Sequence, residues 1–285
     1  MTPTDSMAFV GDPPLWRPEA DRVDVSCTFT WDIEEAYRLR DAWAQHYDVV
    51  RIGGPAIDGE GHEFEPGMYV RHGVTITHRG CIRSCPWCLV NGPLRLIEIK
   101  PGWIEQSNNL LATPREHQAK VYAMLREQRR RVKLAGGLDV RLLDGWVAEQ
   151  LRSVPIGEVF LAADTKAALK PLREAVRHLS FLSRRQLRCY VLIAYGGETS
   201  TEAEERLEAV WDAGCLPFAQ LYQPPDRYVG YNHEWKALAR KWSRPAAMFA
   251  AHNELLPGPP DVLVTPGELA ASPLLVRQNP EQRVP

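Results

Sequence analysis

Gly73-Val74-Thr75-Ile76-Thr77-His78-Arg79-Gly80-Cys81-Ile82-Arg83-Ser84-Cys85-Pro86-Trp87-Cys88 joins a β-branched run to three cysteines spaced C-x3-C-x2-C. The run reads as a strand and the cysteines as the loop at its end. A loop of this spacing can wrap three thiolates around three corners of a cubane iron–sulfur cluster. Most clusters take four thiolates, so three in one loop suggest an iron kept for another ligand. Zinc is the competing reading. It wants four ligands, usually as two close pairs, and His78 offers to complete a Cys3His set three residues before Cys81.

Upstream of this stretch, residues 1–20 are rich in Pro and acidic residues and read as an irregular arm. Val23–Thr30 alternates like a strand, Asp32 is placed to cap a helix from Ile33 to about His46, and Ala36, Leu39, Ala42 and Trp43 form its apolar stripe. Val49–Ile52 reads as a second strand ending at Gly53-Gly54-Pro55, which completes a small β-α-β unit.

Downstream, strand and helix signals alternate. Leu94–Ile99 is an extended excursion, and Trp103–Gln106 is the next strand, ending at Ser107-Asn108-Asn109. Thr113-Pro114-Arg115-Glu116 has the form of a capping box opening a helix to about Arg130. Val132–Ala135 is a strand that opens at a Gly136-Gly137 turn into Leu138-Asp139-Val140-Arg141, and a helix follows from Asp144 to Leu151. Glu158–Ala163 ends at Asp164 and leads to a helix through Leu172–Leu179. Leu187–Tyr195 is the longest apolar strand, read as buried on both faces. Thr201-x-x-Glu204 then caps a helix ending near Gly214, and Leu216–Tyr222 is the sixth strand. This alternation predicts right-handed crossovers and a parallel sheet. Glu234–His252 reads as a helix interrupted at Pro245, and the repeated prolines from Pro257 onward read as a loose tail.

With Trp87 in the aromatic position, Cys81, Cys85 and Cys88 resemble the C-x3-C-x-aromatic-C loop of radical S-adenosylmethionine (radical SAM) enzymes. The resemblance covers about residues 70–225. It implies an α/β fold, a partial (β/α)6 parallel barrel with a small N-terminal β-α-β appendage and a C-terminal helical segment. The divisions are 1–70, 71–225 and 226–285. It also implies that the three cysteines hold a [4Fe-4S] cluster whose fourth iron binds the amino and carboxylate groups of S-adenosylmethionine. An external one-electron reductant then drives cleavage to methionine and a 5′-deoxyadenosyl radical, which abstracts hydrogen from a substrate. The N-terminal unit resembles a truncated cobalamin-binding domain, but D-x-H-x-x-G is absent and neither His62 nor His72 stands in such a motif. Cobalamin is therefore not expected.

Ligands of parallel α/β folds collect at the carboxyl ends of strands, and this rule selects the remaining candidates. Asn108 and Asn109 stand where the family has Gly-Gly-Glu, and their carbonyl oxygens can accept from the cofactor's ammonium. Gly136 would let backbone approach the cofactor. Arg141 is placed to pair with the methionyl carboxylate, or with Asp139 or Asp144. Asp164 suits ribose hydroxyls or a helix cap. By the resemblance, Trp87, Ile193 and Ala194 contribute backbone contacts to adenine. Tyr195 and Tyr222 are candidate substrate-facing hydrogen donors, with packing as the alternative. Cys27, Cys189 and Cys215 are isolated and read as core residues.

Composition narrows the class. Of 285 residues, 45% are hydrophobic and 25% charged, ordinary for a globular protein. A formal net charge of −2 indicates neither nucleic acid nor an anionic membrane as a partner. The basic run Arg126 to Lys133 reads as a helix end. No apolar window reaches a membrane span, and the start Met1-Thr2-Pro3-Thr4-Asp5-Ser6 lacks a secretory pattern, so a cytoplasmic protein is expected. The substrate expected is a small molecule or a nucleotide-type group. The competing class is a non-enzymatic iron–sulfur electron-transfer or zinc-binding protein.

Overall fold

The computed structural model describes residues 3–57, 66–90 and 92–254; His62 and the Pro-rich tail expected from Pro257 lie outside them. In the N-terminal unit, Val23–Ser26 (β1), Ile33–Ala44 (α1) and Val50–Gly53 (β2) form the expected β-α-β arrangement. The strands are parallel, with Val23 opposite Val50 and Ser26 opposite Gly53. Asp32 does not cap α1: it ends a 3-10 turn at φ −98° and makes no side-chain capping bond. The irregular arm lies along α1, where the Trp43 indole donates to the Gly11 carbonyl at 3.1 Å and the Tyr47 hydroxyl to that of Pro18 at 2.6 Å. Gly54 has φ +108°, and a Cβ there would lie 2.5 Å from the Cys27 carbonyl oxygen. This glycine is fixed by close packing on buried Cys27.

The strand expected over Gly73–His78 splits in two. Val74–Thr75 (β3) stays in the main sheet, while His78–Arg79 (β4) leaves it and pairs antiparallel with Arg95–Leu96 (β5). Gly80 permits the divergence: at φ +82°, a Cβ there would meet the Pro93 carbonyl oxygen at 2.2 Å. The cysteine loop is thus carried between β4 and β5. The chain then runs through Ile104–Glu105 (β6), Arg115–Arg126 (α2), Val132–Asp139 (β7), Gly145–Arg152 (α3), Ile156–Ala162 (β8), Leu169–His178 (α4), Leu187–Ile193 (β9), Ser200–Asp212 (α5), Leu216–Leu221 (β10), His233–Lys241 (α6) and Pro245–Ala251 (α7).

The main sheet has the order β3-β6-β7-β8-β9-β10, and every pairing is parallel. Each crossover advances one place without reversal, so right-handed connections bring the helices to one face. Along β9 alternate side chains face the helices. Leu187, Cys189, Val191 and Ile193 join a core with Leu125, Leu161, Leu172, Leu207 and Trp242. The burial of β9 expected on both faces is met on the other face at Arg188, while Tyr190 and Leu192 are only half-buried. There, Lys133 and Arg188 flank Glu158 at 2.8 and 3.7 Å, and the rings of Phe160, Tyr190 and Phe218 cluster at 4.7–6.0 Å. The α6 and α7 helices, separated ahead of Pro245, complete the core through Leu238, Trp242, Met248 and Phe249. No helix among the described residues is long and apolar enough to cross a membrane.

Three local expectations are corrected. Gly136 and Gly137 lie inside β7 at a register shift against β8, and no turn forms there. A Cβ on Gly136 would sit 2.0 Å from the Ser107 carbonyl oxygen, so the glycine admits the neighbouring backbone. Thr113 donates its hydroxyl to Leu110 at 2.8 Å and forms no capping box; Pro114 precedes α2. The box of α5 is Thr199 with Glu202, two residues before the expected one, because the glycine turn at 196–197 ends in time for the earlier of two overlapping T-x-x-E registers. Asp144 does cap α3, accepting from the Val147 amide at 3.0 Å.

Candidate functional site

Cys81, Cys85 and Cys88 are free, half-buried thiols. The Cys88 amide donates to the Cys85 carbonyl at 3.0 Å and closes the turn between them. Backbone N–H groups point at two of the sulfurs: Arg83 N to Cys81 Sγ and Val90 N to Cys88 Sγ, both at 3.4 Å. The Asn109 amide approaches Cys81 Sγ at 3.8 Å. Such donors favour sulfur carrying negative charge. Burial pushes the Cys85 thiol up, its two sister cysteines add to this, and Arg141 opposes them.

Among the described residues, no group of three or more His, Cys, Asp or Glu side chains converges as a single metal ion requires. A cubane makes a different demand, since each thiolate binds its own iron. Three free thiols, two of them receiving N–H donors, fit that donor chemistry. His78, the candidate fourth zinc ligand, is fully buried, and its Nε2 accepts from the Asn109 amide at 3.1 Å. Burial, followed by His117 and Arg79, pushes its pKa down to about 4.

Polar side chains from neighbouring strand ends clamp the loop. Asn108 Oδ1 accepts from Gly80 N at 3.0 Å, and Asn109 Oδ1 from Asp139 N at 3.3 Å. Both carbonyl oxygens expected to face an ammonium group therefore already hold backbone, each with one lone pair left. Asp139 is buried between two guanidiniums. Arg141 meets it with Nε at 2.7 Å and a second nitrogen at 3.0 Å, and Arg83 reaches it from the cysteine loop at 2.9 Å. Burial alone would raise the Asp139 pKa, but these bonds outweigh it and hold the carboxyl below its usual value. Arg141 remains about half exposed beside Cys85. Behind the loop, fully buried Glu105 accepts from Ser107 N at 3.1 Å and Thr77 Oγ1 at 3.4 Å, while its other oxygen is unpartnered. Desolvation raises its pKa.

A cavity of about 350 Å³ is lined by Trp87 of the loop and by Asp164, Leu192, Tyr195, Glu198 and Arg206 among others. Trp87 packs edge-on to Tyr195 with centroids 5.5 Å apart, and Tyr195 likewise to Tyr222 at 4.8 Å. Asp164 caps no helix; its Oδ1 accepts from Leu192 N at 2.9 Å, and burial raises its pKa. Ala194 holds the left-handed conformation at φ +63°, and its amide donates to Glu198 at 3.1 Å. The neighbouring Ile193 carbonyl accepts from Tyr222 N at 3.0 Å.

Arg206, almost fully buried, fastens this turn. It donates to the carbonyls of Asp164 at 3.0 Å and Leu192 at 2.8 Å and pairs with Glu198. It joins β8, β9 and α5, elements distant in sequence, so no local pattern announced it. Arg83 and Glu105 also entered the site unheralded, and His78 enters it as a buried acceptor for the Asn109 backbone N–H. A carboxylate in a two-residue apolar strand was the one signal available for Glu105.

Asn108, Asn109, Asp139 and Arg141 are joined to one another and to the cysteine loop by hydrogen bonds and ion pairs. Trp87, Asp164 and Tyr195 line the cavity, with Ile193, Ala194 and Tyr222 next to it in the chain or in ring contact; charge links the two groups, since Arg141 acts on both Cys85 and Asp164. Gly136, within β7, lies against the backbone of Ser107 and Asn108. Cys189 and Cys215 are buried in the core, and burial pushes the Cys215 thiol up to about 12. No family model, curated protein or solved structure matches the chain.

Proposed function

We propose that the chain is a radical SAM enzyme and that its six-stranded sheet is the open partial (β/α)6 barrel of that family. The observation that carries this reading is the placement of three free thiols, two of them receiving backbone N–H donors, beside a 350 Å³ cavity at the carboxyl ends of sequentially ordered parallel strands. A [4Fe-4S] cluster held by Cys81, Cys85 and Cys88 would supply the electron that splits S-adenosylmethionine into methionine and a 5′-deoxyadenosyl radical.

The chain's own residues divide the remaining work. Arg141, anchored by Asp139, offers a charged fork to the methionyl carboxylate. Asn108 and Asn109 keep the loop seated and offer their spare lone pairs to the ammonium. Trp87 and the Ile193–Ala194 turn, locked by Glu198 and Arg206, would hold adenine, and Asp164, which lines the same cavity, would accept from ribose hydroxyls. Tyr195 and Tyr222 line the path toward a substrate of small-molecule or nucleotide type and help to exclude water. The N-terminal unit lacks the D-x-H-x-x-G motif, so cobalamin has no part in this reading. A reducing cytoplasm suits six free cysteines.

Anaerobic reconstitution tests the reading. The expected result is brown protein with about four iron per chain that releases 5′-deoxyadenosine from S-adenosylmethionine when dithionite is added. Cys81→Ala should lose both cluster and cleavage. Zinc retained without iron, or a cluster that never cleaves the cofactor, would favour the non-enzymatic alternative.

A further inference from the structure

The sheet face turned away from the helices holds a buried charge that the proposed chemistry does not use. Arg188 on β9 is 8% exposed, and its Nε has no hydrogen-bond partner among the described residues. Glu158 on β8 stands off from it at 3.7 Å, while Lys133 on β7 holds that carboxylate more closely, at 2.8 Å. Burial pushes the Arg188 pKa down, and Glu158 only partly opposes this. The guanidinium lies over the rings of Phe160 and Phe218 at 5.6 and 5.5 Å, and those rings meet Tyr190 at 4.7 and 5.6 Å. Register sets Arg188 beside Phe160 and Tyr190 beside Phe218, so the charge and the rings share one surface. The Tyr190 hydroxyl donates to the Ala135 carbonyl at 3.1 Å, which fixes its ring. Beside that ring Gly137 and Ala162 present only a hydrogen and a methyl. Leu192, farther along β9 from Arg188 by about 13 Å of strand rise, lines the cavity that Trp87 shares.

We propose that this face binds the substrate and that the substrate is an elongated aromatic acid, its carboxylate on Arg188 and its ring along Tyr190 and Phe218. The inference rests on the radical SAM reading and names the class of molecule whose far end reaches the cavity. Charge selects the acid. Lys133 and Arg188 against Glu158 leave one positive charge in excess, which a single carboxylate balances, whereas a phosphate monoester brings about two negative charges. A planar carboxylate also matches the guanidinium fork. The rings select the aromatic part, because Tyr190 and Phe218 are half-buried and already packed edge-on, the arrangement in which another ring is held. A closed structural plug is the other reading of charges at the amino ends of barrel strands. Such a plug would bond its guanidinium, since a buried charge without a bonded partner is costly. Here Lys133 takes the carboxylate and the Arg188 Nε is left over.

The test uses the full reconstituted chain, with 2-naphthoate as the probe and neutral 2-naphthamide beside it, and the Kd is measured by calorimetry. Wild type should bind the acid about tenfold or more tightly than the amide. Arg188→Gln should weaken the acid about tenfold and leave the amide unchanged. Arg188→Lys should recover part of that loss, since it keeps the charge without the fork. Phe218→Leu, on the edge strand β10, is the second variant if Arg188→Gln does not fold; it should weaken acid and amide alike by about threefold. Arg177→Glu, a charge reversal on the exposed face of α4, should leave both unchanged. Wild type that does not bind 2-naphthoate, equal binding of acid and amide, or displacement of the acid by an equal concentration of inorganic phosphate would overturn the assignment. So would an Arg188→Gln chain that is less stable yet binds the acid as before, which is the outcome a structural plug gives. Binding of the probe needs no cleavage of S-adenosylmethionine. Absence of dithionite-driven 5′-deoxyadenosine release therefore counts against the enzymatic reading alone, and the two failures are distinguishable.

Discussion

The sheet has two halves built on different physics. The strands β7, β8, β9 and β10 run for eight, seven, seven and six residues and bury continuous apolar faces under the helices. By contrast β3 and β6 have two residues each, and around them Thr75, Thr77, His78, Glu105, Ser107 and Asn109 are buried polar groups. The long-stranded half is held by area removed from water, a force without direction or pH dependence. The short-stranded half, which carries the cysteine loop, is held by directional bonds among groups that titrate. A loop that must present three sulfurs in one arrangement gains from that directionality, at the cost of sensitivity to single protons.

The largest stability effect should therefore come from the half farther from the thiols. Leu161 in β8 is fully buried, and Leu161→Ala should cost about 2–5 kcal/mol through lost transfer energy and the cavity left behind. Denaturant unfolding measures it, and the loss should be the same at pH 6 and pH 8. A cost below about 1 kcal/mol would mean that the apolar half is not the main support, and the contrast would fail.

The next effect belongs to the polar half and appears as pH dependence. His78 titrates at about 4 in the fold and near 6.5 when unfolded, so between those values the unfolded chain binds the extra proton. Stability is then lost as pH falls from about 6.5 to about 4, by up to about 3 kcal/mol. His117, also lowered by burial, acts in the same direction. Glu105 opposes them: its raised pKa keeps a proton in the fold that the unfolded chain has shed. Its contribution is lost as pH rises above the ordinary carboxylate range. In Glu105→Gln the histidines act without that opposition, so melting temperature should climb from pH 4 to about 6.5 and then level, with a gain over wild type on the alkaline side. Superimposable melting profiles for the two proteins would show that Glu105 does not titrate with folding.

The same division explains how much could be read in advance. The six-strand alternation, the sequential parallel order, the helix start at Asp144 and the break at Pro245 could be read from period and length, because each depends on neighbours in sequence. The polar half resisted. Whether Val74 to Arg79 forms one strand or two is decided by Pro93, which Gly80 must approach across the loop. Asn108 and Asn109 were legible as strand-end amides, but which atom each turns toward the loop depends on Gly80, Cys81 and Asp139 together. Arg206 reads as an ordinary charge on an amphipathic helix until β8 and β9 bring two carbonyls to it. Gly136 looked like a turn residue because a glycine gives the same signal whether it bends the chain or lets another strand approach.

The smallest effect sharpens the contrast at the end of β9, in the long-stranded half beside the cavity. Ala194 is held at φ +63° although a side chain there costs about 1–2 kcal/mol. Glu198 receives its amide, and Arg206 holds Glu198, so packed neighbours sustain the strain. Ala194→Gly removes the steric penalty but gives the unfolded chain more freedom, leaving a net gain of about 0.5–1 kcal/mol. The gain should appear as a higher denaturation midpoint with an unchanged slope. If the strained turn exists to shape the cavity wall, the same variant should bind S-adenosylmethionine more weakly while being more stable. Greater stability with undiminished binding would make the left-handed residue a simple connector between β9 and α5.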